Sequence, residues 1–153
     1  MTWLELKIPP PLVALAFGLA MYGASRLTPG LTFELPGARP IAIALAVAGV
    51  VQALAGIAAF RRERTTVNPL KPEDTTSVVS SGIYRTTRNP MYLGMAFVLG
   101  GWALYLSNAA AAVFLVGFVL YMNQFQIKPE ERVLLAKFGP DFAQYMARVR
   151  RWL

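Results

Sequence analysis

Two stretches hold the residues whose types and spacing suit chemistry. The first is residues 82–94, GIYRTTRNPMYLG, with Tyr84, Arg85, Arg88 and Tyr92 and an Asn89-Pro90 pair just ahead of an apolar run. Pro90 fits the first turn of a helix, where its missing N–H removes no bond, and Asn89 sits where an N-cap belongs. A helix starting there aims its free N–H groups and the positive end of its dipole at the same place as the two guanidinium groups, a setting for a small anionic group. A capped helix with basic anchors at its entrance accounts for the same residues without any ligand. The second stretch is Gln126, Lys128, Pro129, Glu130 and Glu131. Proline followed by acids suits a helix N-terminus on its own account. Either carboxylate can also accept a hydrogen bond from a hydroxyl or an ammonium.

What is missing narrows the chemistry further. The 153 residues include no cysteine and no histidine. Thiolate nucleophiles, disulfides, imidazole bases and the commonest metal ligands are therefore absent, and no metal site is expected. Hydrophobic residues make up 56% of the chain and charged residues 15%. The apolar residues are gathered in blocks, which marks a membrane protein. The net charge of +7 then reads as basic residues held on the cytoplasmic side, not as a nucleic-acid surface.

The elements that must position the two stretches follow from the blocks. The sequence predicts an all-α integral membrane bundle of four spans, at about 10–27, 41–60, 90–106 and 109–126, with a cytoplasmic amphipathic helical tail over 128–153 and the whole chain as one domain. The first and third are short against the roughly 20 residues that cross a bilayer. A signal peptide is the lesser reading of the first block, because no hydrophilic domain follows it. With four spans, thirteen of the fifteen Lys and Arg residues fall on one side, among them Arg61, Arg62 and Arg64, and only Arg26 and Arg39 on the other. That asymmetry puts both termini and the 61–89 loop in the cytoplasm.

Ala42, Ala46, Gly49, Ala53 and Gly56 recur along one face of the second span, and Gly94 and Gly101 along the third. Small residues at this spacing allow close helix packing in lipid and would permit a homodimer. Ser107-Asn108 alone links spans three and four, which predicts a tight helical hairpin. Spans two to four contain no charged residue, which argues against an ion-coupled transporter. Phe138-Gly139-Pro140 ends one short helix. The last segment, with Phe142, Tyr145, Met146, Val149 and Trp152 set against Arg148, Arg150 and Arg151, reads as a helix lying on the cytoplasmic leaflet.

The ordered set of Ser-Gly-Ile-Tyr-Arg at 81–85, Arg-Asn-Pro-Met-Tyr-Leu-Gly at 88–94, Glu130-Glu131, and Phe138-Gly139 followed by Tyr145 resembles the isoprenylcysteine carboxyl methyltransferases and the related phospholipid methyltransferases. The resemblance covers roughly residues 65–153. It implies an integral membrane enzyme that uses S-adenosylmethionine and methylates a lipophilic acceptor at the cytoplasmic face, with a carboxylate oxygen as the favoured acceptor. Carried over by position, the cofactor site would comprise Thr76, Ser77, Val78, Val79, Tyr84, Arg88, Asn89, Pro90, Met91, Tyr92, Glu130 and Glu131. Asn89, Tyr92 and Glu130 would stand at the reacting centre as positioning groups, with no committed general base. Gln126 and Lys128 would face the acceptor.

Two departures from the family pattern bear on this. Asn89 stands where the family commonly has histidine, and an amide takes no proton near neutral pH. Gln126 falls where the family has a cation linked to the acceptor, which weakens the case for a prenylcysteine carboxylate. Phospholipid amines, lipophilic thiols and quinone-like molecules stay open as acceptors. The competing readings are a catalytically silent membrane scaffold that has kept the fold, and an NADPH-dependent membrane reductase.

Overall fold

The computed structural model describes residues 4–63 and 68–153. Arg64, counted above in the cytoplasmic loop, lies outside the described residues. All regular structure among them is helical: α1 (Pro10–Leu27), α2 (Ala38–Arg62), α3 (Pro90–Leu106), α4 (Ala109–Tyr121), a π-helical segment (Met122–Ile127), α5 (Lys128–Phe138) and α6 (Pro140–Arg148). Short 3-10 turns occupy Pro29–Leu31, Pro72–Asp74 and Gly82–Arg85. Two continuous helices are long and apolar enough to cross a membrane, Ala38–Arg62 and Ala109–Phe138; Pro90–Leu106 is as apolar but shorter.

The closest packing is between α2 and α3, and glycine makes it possible. A Cβ on Gly94 would lie 2.4 Å from the Gly49 carbonyl oxygen, and one on Gly101 would lie 2.6 Å from that of Ala42. The two helices thus meet backbone to backbone along the small-residue faces, so that dispersion contacts between main chains replace side-chain interdigitation. Helix α1 leans on α3 and α4 instead. Its Phe17 meets Phe118 edge-on, with ring centroids 5.8 Å apart, and Trp102 Nε1 donates to the Gly18 carbonyl at 3.0 Å.

The α3–α4 hairpin is fixed by one buried amide. Asn108 accepts from the backbone N–H groups of Ala110 and Ala111, capping α4, while its Nδ2 donates to the Thr28 carbonyl at 2.8 Å. Ser107 turns the chain with φ 47°. One side chain therefore satisfies two orphan donors of α4 and a carbonyl at the end of α1.

At the other end the structure departs from expectation. Pro129-Glu130-Glu131 does not start a new helix; the π-helical segment carries α4 straight into α5. Pro129 has no N–H to give the carbonyl four residues back, that of Phe125. The Leu6 backbone N–H supplies the missing bond at 3.0 Å. Glu5 of the same segment pairs with Arg132 at 3.3 Å. A π-bulge that aims side chains differently from a regular helix is common where a site is built, and here it lies immediately before Glu130.

Candidate functional site

The start of α3, the start of α5, the 68–84 connection and α6 close round one cavity of about 90 Å³. Asn89 occupies the N-cap position of α3, but its side chain does not cap the helix. Its Nδ2 donates to the Arg151 carbonyl at 2.9 Å. Tyr92, one turn into α3, is buried, and its hydroxyl lies 3.0 and 3.1 Å from the two carboxylate oxygens of Glu130. Gln126, buried behind it, donates to the Pro69 carbonyl at 2.8 Å and reaches the Tyr92 hydroxyl at 3.4 Å. That amide ties the 68–84 connection to the helical frame.

Arg88 is committed to the protein itself. Its guanidinium donates to the carbonyls of Met146 and Val149 and to Glu131 Oε1 at 2.7 Å. Arg151 binds the same carboxylate, with Nη2 2.6 Å from Oε2. Glu131 therefore holds two guanidinium groups, one from each end of the site, and the C-terminal strand of chain is strapped across the entrance to α3. The backbone N–H of Arg88 donates to Arg150, and the Thr87 hydroxyl donates to the Arg151 carbonyl. Trp152 Nε1 donates to Asn123 at 3.1 Å. The two bonds to Glu131, charge-assisted and 2.7 and 2.6 Å long, belong to the strong class.

Two buried side-chain atoms among the described residues lack a partner, Ser77 Oγ and Arg88 Nε, and both residues line the cavity. Buried polar atoms are almost always bonded, so these two are left open to a further partner. The rest of the wall is aromatic and aliphatic. Phe60 and Tyr84 stack tilted with ring centroids 5.3 Å apart, Tyr145 donates to the Tyr84 carbonyl at 2.8 Å, and Val78, Val79, Met91 and Phe142 complete it.

The apolar wall controls ionisation. Burial, reinforced by the Glu131 charge and opposed by the Tyr92 hydrogen bond, pushes Glu130 up to about 8. Burial also holds the Tyr84 and Tyr145 hydroxyls well above their ordinary value, Arg88 opposing it for Tyr145. The phenols are thus neutral donors at any working pH, and Glu130 titrates near neutrality.

Of the residues singled out in the sequence, Ser77, Val78, Val79, Tyr84, Arg88, Asn89, Met91, Tyr92, Glu130 and Glu131 line this one cavity. Thr76 is exposed beside it. Pro90 is buried beneath it, its Cγ placed 3.2 Å from where a Gly56 Cβ would be. Lys128 is exposed and bonds Gln124 at 3.0 Å, and Arg85 is exposed outside the wall, so the expected convergence of two arginines reduces to Arg88. Helix α6, expected on the leaflet surface, turns Phe142 and Tyr145 inward to the cavity, where both are buried. Phe60, Pro69 and Leu134 also line the site and were not singled out; an aromatic near a helix end and a leucine on a helical face carry no signal of their own, and Phe142 was expected only on the leaflet face of the last helix. Tyr145 had one, in the spacing after Phe138-Gly139.

The frame is helical, with two helices of membrane length and a cavity lined by carboxylates and tyrosines at one end. The sequence model of the phospholipid methyltransferase family matches residues 38–141. The chain belongs to that family. An uncharacterized protein of Haemophilus influenzae is 44% identical over 63 residues, which is 41% of this chain and the whole of that relative. No solved structure matches the chain.

Proposed function

We propose that the protein transfers a methyl group from S-adenosylmethionine to a lipophilic acceptor at the cytoplasmic face of a membrane, which it crosses four times with both termini in the cytoplasm. The observation that carries the reading is the meeting of Tyr92 and Glu130, from the entry to α3 and the exit from α4, in one cavity with unpartnered Ser77 Oγ and Arg88 Nε.

The residues fit such a cofactor chemically. Ser77 and the free Arg88 N–H are available to its carboxylate or ribose. Val78, Val79 and Phe60 offer an apolar wall to a purine. Glu130 and the faces of Tyr84 and Tyr145 suit a cation, by charge and by the ring quadrupole. The present volume falls below the roughly 300 Å³ of a pocket for a drug-sized ligand, so entry requires the 68–84 connection or the C-terminal strap to part from the helices.

S-adenosylmethionine supplies a methyl group already activated on a sulfonium. What remains for the chain is alignment and exclusion of water. Tyr92 holds the Glu130 carboxylate in one orientation, and Gln126 holds Tyr92. Asn89 fastens the C-terminal strap, a task that one N–H performs, so histidine at that position is not needed for it. A carboxylate acceptor, the favoured class, arrives as an anion and needs no base. An amine or thiol acceptor would give its proton to the ionised form of Glu130, which is the major form only above about pH 8. Titration of the purified protein with S-adenosylhomocysteine by calorimetry, beside NADPH, tests the cofactor. Labelled methyl transfer into total membrane lipid, lost in Tyr92→Phe and Glu130→Gln, tests the activity. Binding of NADPH alone would establish the reductase reading. Cofactor binding with no transfer to any lipid would establish the silent scaffold.

A further inference from the structure

A second, larger cavity lies along α3, on the side where α1 and α2 leave a gap. It measures about 880 Å³ and is walled by Leu15 and Leu19 of α1, Val50 and Leu54 of α2, and Met95 and Trp102 of α3. The four wall residues from α1 and α2 are exposed in the isolated chain. The one side-chain hydrogen-bonding atom on its floor, Trp102 Nε1, is already satisfied by Gly18. Nothing in the middle of the groove asks for a polar partner; hydroxyls occur only at its far end, on Tyr22 and Tyr105.

The groove and the polar cavity share one helix. Met91 lines the site and Met95, one turn on, lines the groove. From Gly94 to Tyr105 the groove follows α3 for about 16 Å at 1.5 Å per residue. Half of a hydrocarbon core of about 30 Å is about 15 Å. The groove therefore has the length of one leaflet's hydrocarbon chain and ends beside the site.

We propose that this groove binds one hydrocarbon chain of the lipid acceptor and so delivers its headgroup to the cavity at the entry to α3. The inference rests on the methyl-transfer reading for the word acceptor, but chain binding itself is measured without any reaction. Specificity then lies partly in the apolar part of the substrate: a long-chain acceptor is used, and a soluble analogue with the same reacting group and no chain is not.

The full-length protein is placed in nanodiscs of palmitoyl-oleoyl phosphatidylcholine containing phosphatidylethanolamine with a mid-chain diazirine. After photolysis the labelled positions are mapped by mass spectrometry. The expected result is label concentrated on the groove walls and reduced at least fivefold in Val50→Trp and in Leu15→Trp, two exposed positions where a larger ring fills the groove without entering the packed interior. Val113→Trp, on the exposed outward face of α4, leaves the labelling unchanged. Label spread over α1, α2 and α4 in proportion to exposed area, or equal labelling in all variants, overturns the proposal and leaves only annular lipid. Photocrosslinks between two protein copies through the groove overturn it in favour of a dimer interface. S-adenosylhomocysteine binding is titrated on the same samples. Its absence in the wild type sinks the methyl-transfer reading whatever the lipid label shows, and its retention in the groove variants separates a failed groove from a failed fold.

Discussion

Glu130 and Glu131 are neighbours with opposite tasks. Glu131 is the anchor of a three-charge cluster with Arg88 and Arg151, at 2.7 and 2.6 Å. Removing it leaves the Arg88 guanidinium, whose side chain is 11% exposed, without a counter-charge, and stranding a buried charge costs about 3–5 kcal/mol. Glu131→Ala is therefore expected to lower the thermal midpoint in detergent strongly and to raise amide exchange over residues 149–153. Arg151→Ala, which removes a more exposed partner, has the smaller effect. Glu130 instead titrates in the working range. Its folded value, about 8, is raised above that of an unfolded chain, so between roughly pH 4.5 and 8 the folded state holds more protons at this group than the unfolded state does. Its contribution to stability falls as pH rises through that window and is lowest above pH 8. Denaturation midpoints measured from pH 5 to 9 should show this slope, and Glu130→Gln should flatten it. A cationic ligand works against the same equilibrium. Binding of S-adenosylhomocysteine, through its ammonium, should release protons and tighten from pH 6 to 8, which calorimetry in two buffers of different ionisation enthalpy reads directly.

At the scale of elements, the pairing of α2 with α3 and the hairpin after α3 set the position of everything else. Gly94→Ala would place a Cβ 2.4 Å from the Gly49 carbonyl oxygen. The helices must then part, at about 1–3 kcal/mol for an overpacked contact. Because α3 carries Tyr92 and Met91 to the cavity, cofactor affinity should fall together with stability. Gly30→Ala, with open space around it, should change neither. Asn108→Ala removes a fully buried cap and the bond to Thr28. It is expected to cost about 1–2 kcal/mol and to loosen the end of the bundle remote from the site, with cofactor binding retained. These two outcomes separate the element that positions the site from the one that only closes the bundle.

At the scale of the molecule, the proposed topology can be read with single cysteines, since the native chain contains none. Arg39→Cys and Arg85→Cys, both at exposed positions, should be labelled by a membrane-impermeant maleimide from opposite sides of sealed vesicles. Labelling of both from one side would leave α2 unable to connect them across the bilayer and would overturn the four-span arrangement. In the proposed arrangement the polar cavity would sit at the water boundary and the apolar groove within the hydrocarbon, so that a water-soluble donor and a membrane-borne acceptor would meet at the entry to α3.

The sequence by itself determined the helical class, the apolar blocks, the entry to α3 at Asn89-Pro90, the glycine-lined faces and the residues of the family pattern. These are properties of local periodicity, of residues with restricted backbones and of short-range order along the chain, all of which a linear string displays. It did not reveal that α4 runs through a π-bulge into α5, because a proline followed by acids has the same appearance at a helix start and at a repaired interruption, and the Leu6 N–H that makes the repair is more than a hundred residues away. Nor did it reveal that Arg88 is spent on Glu131 and the C-terminal carbonyls, or that α6 turns its aromatic face to the cavity. Which partner a guanidinium takes, and which surface an amphipathic helix covers, depend on groups brought together from distant parts of the chain. Only packing of the whole molecule decides between them.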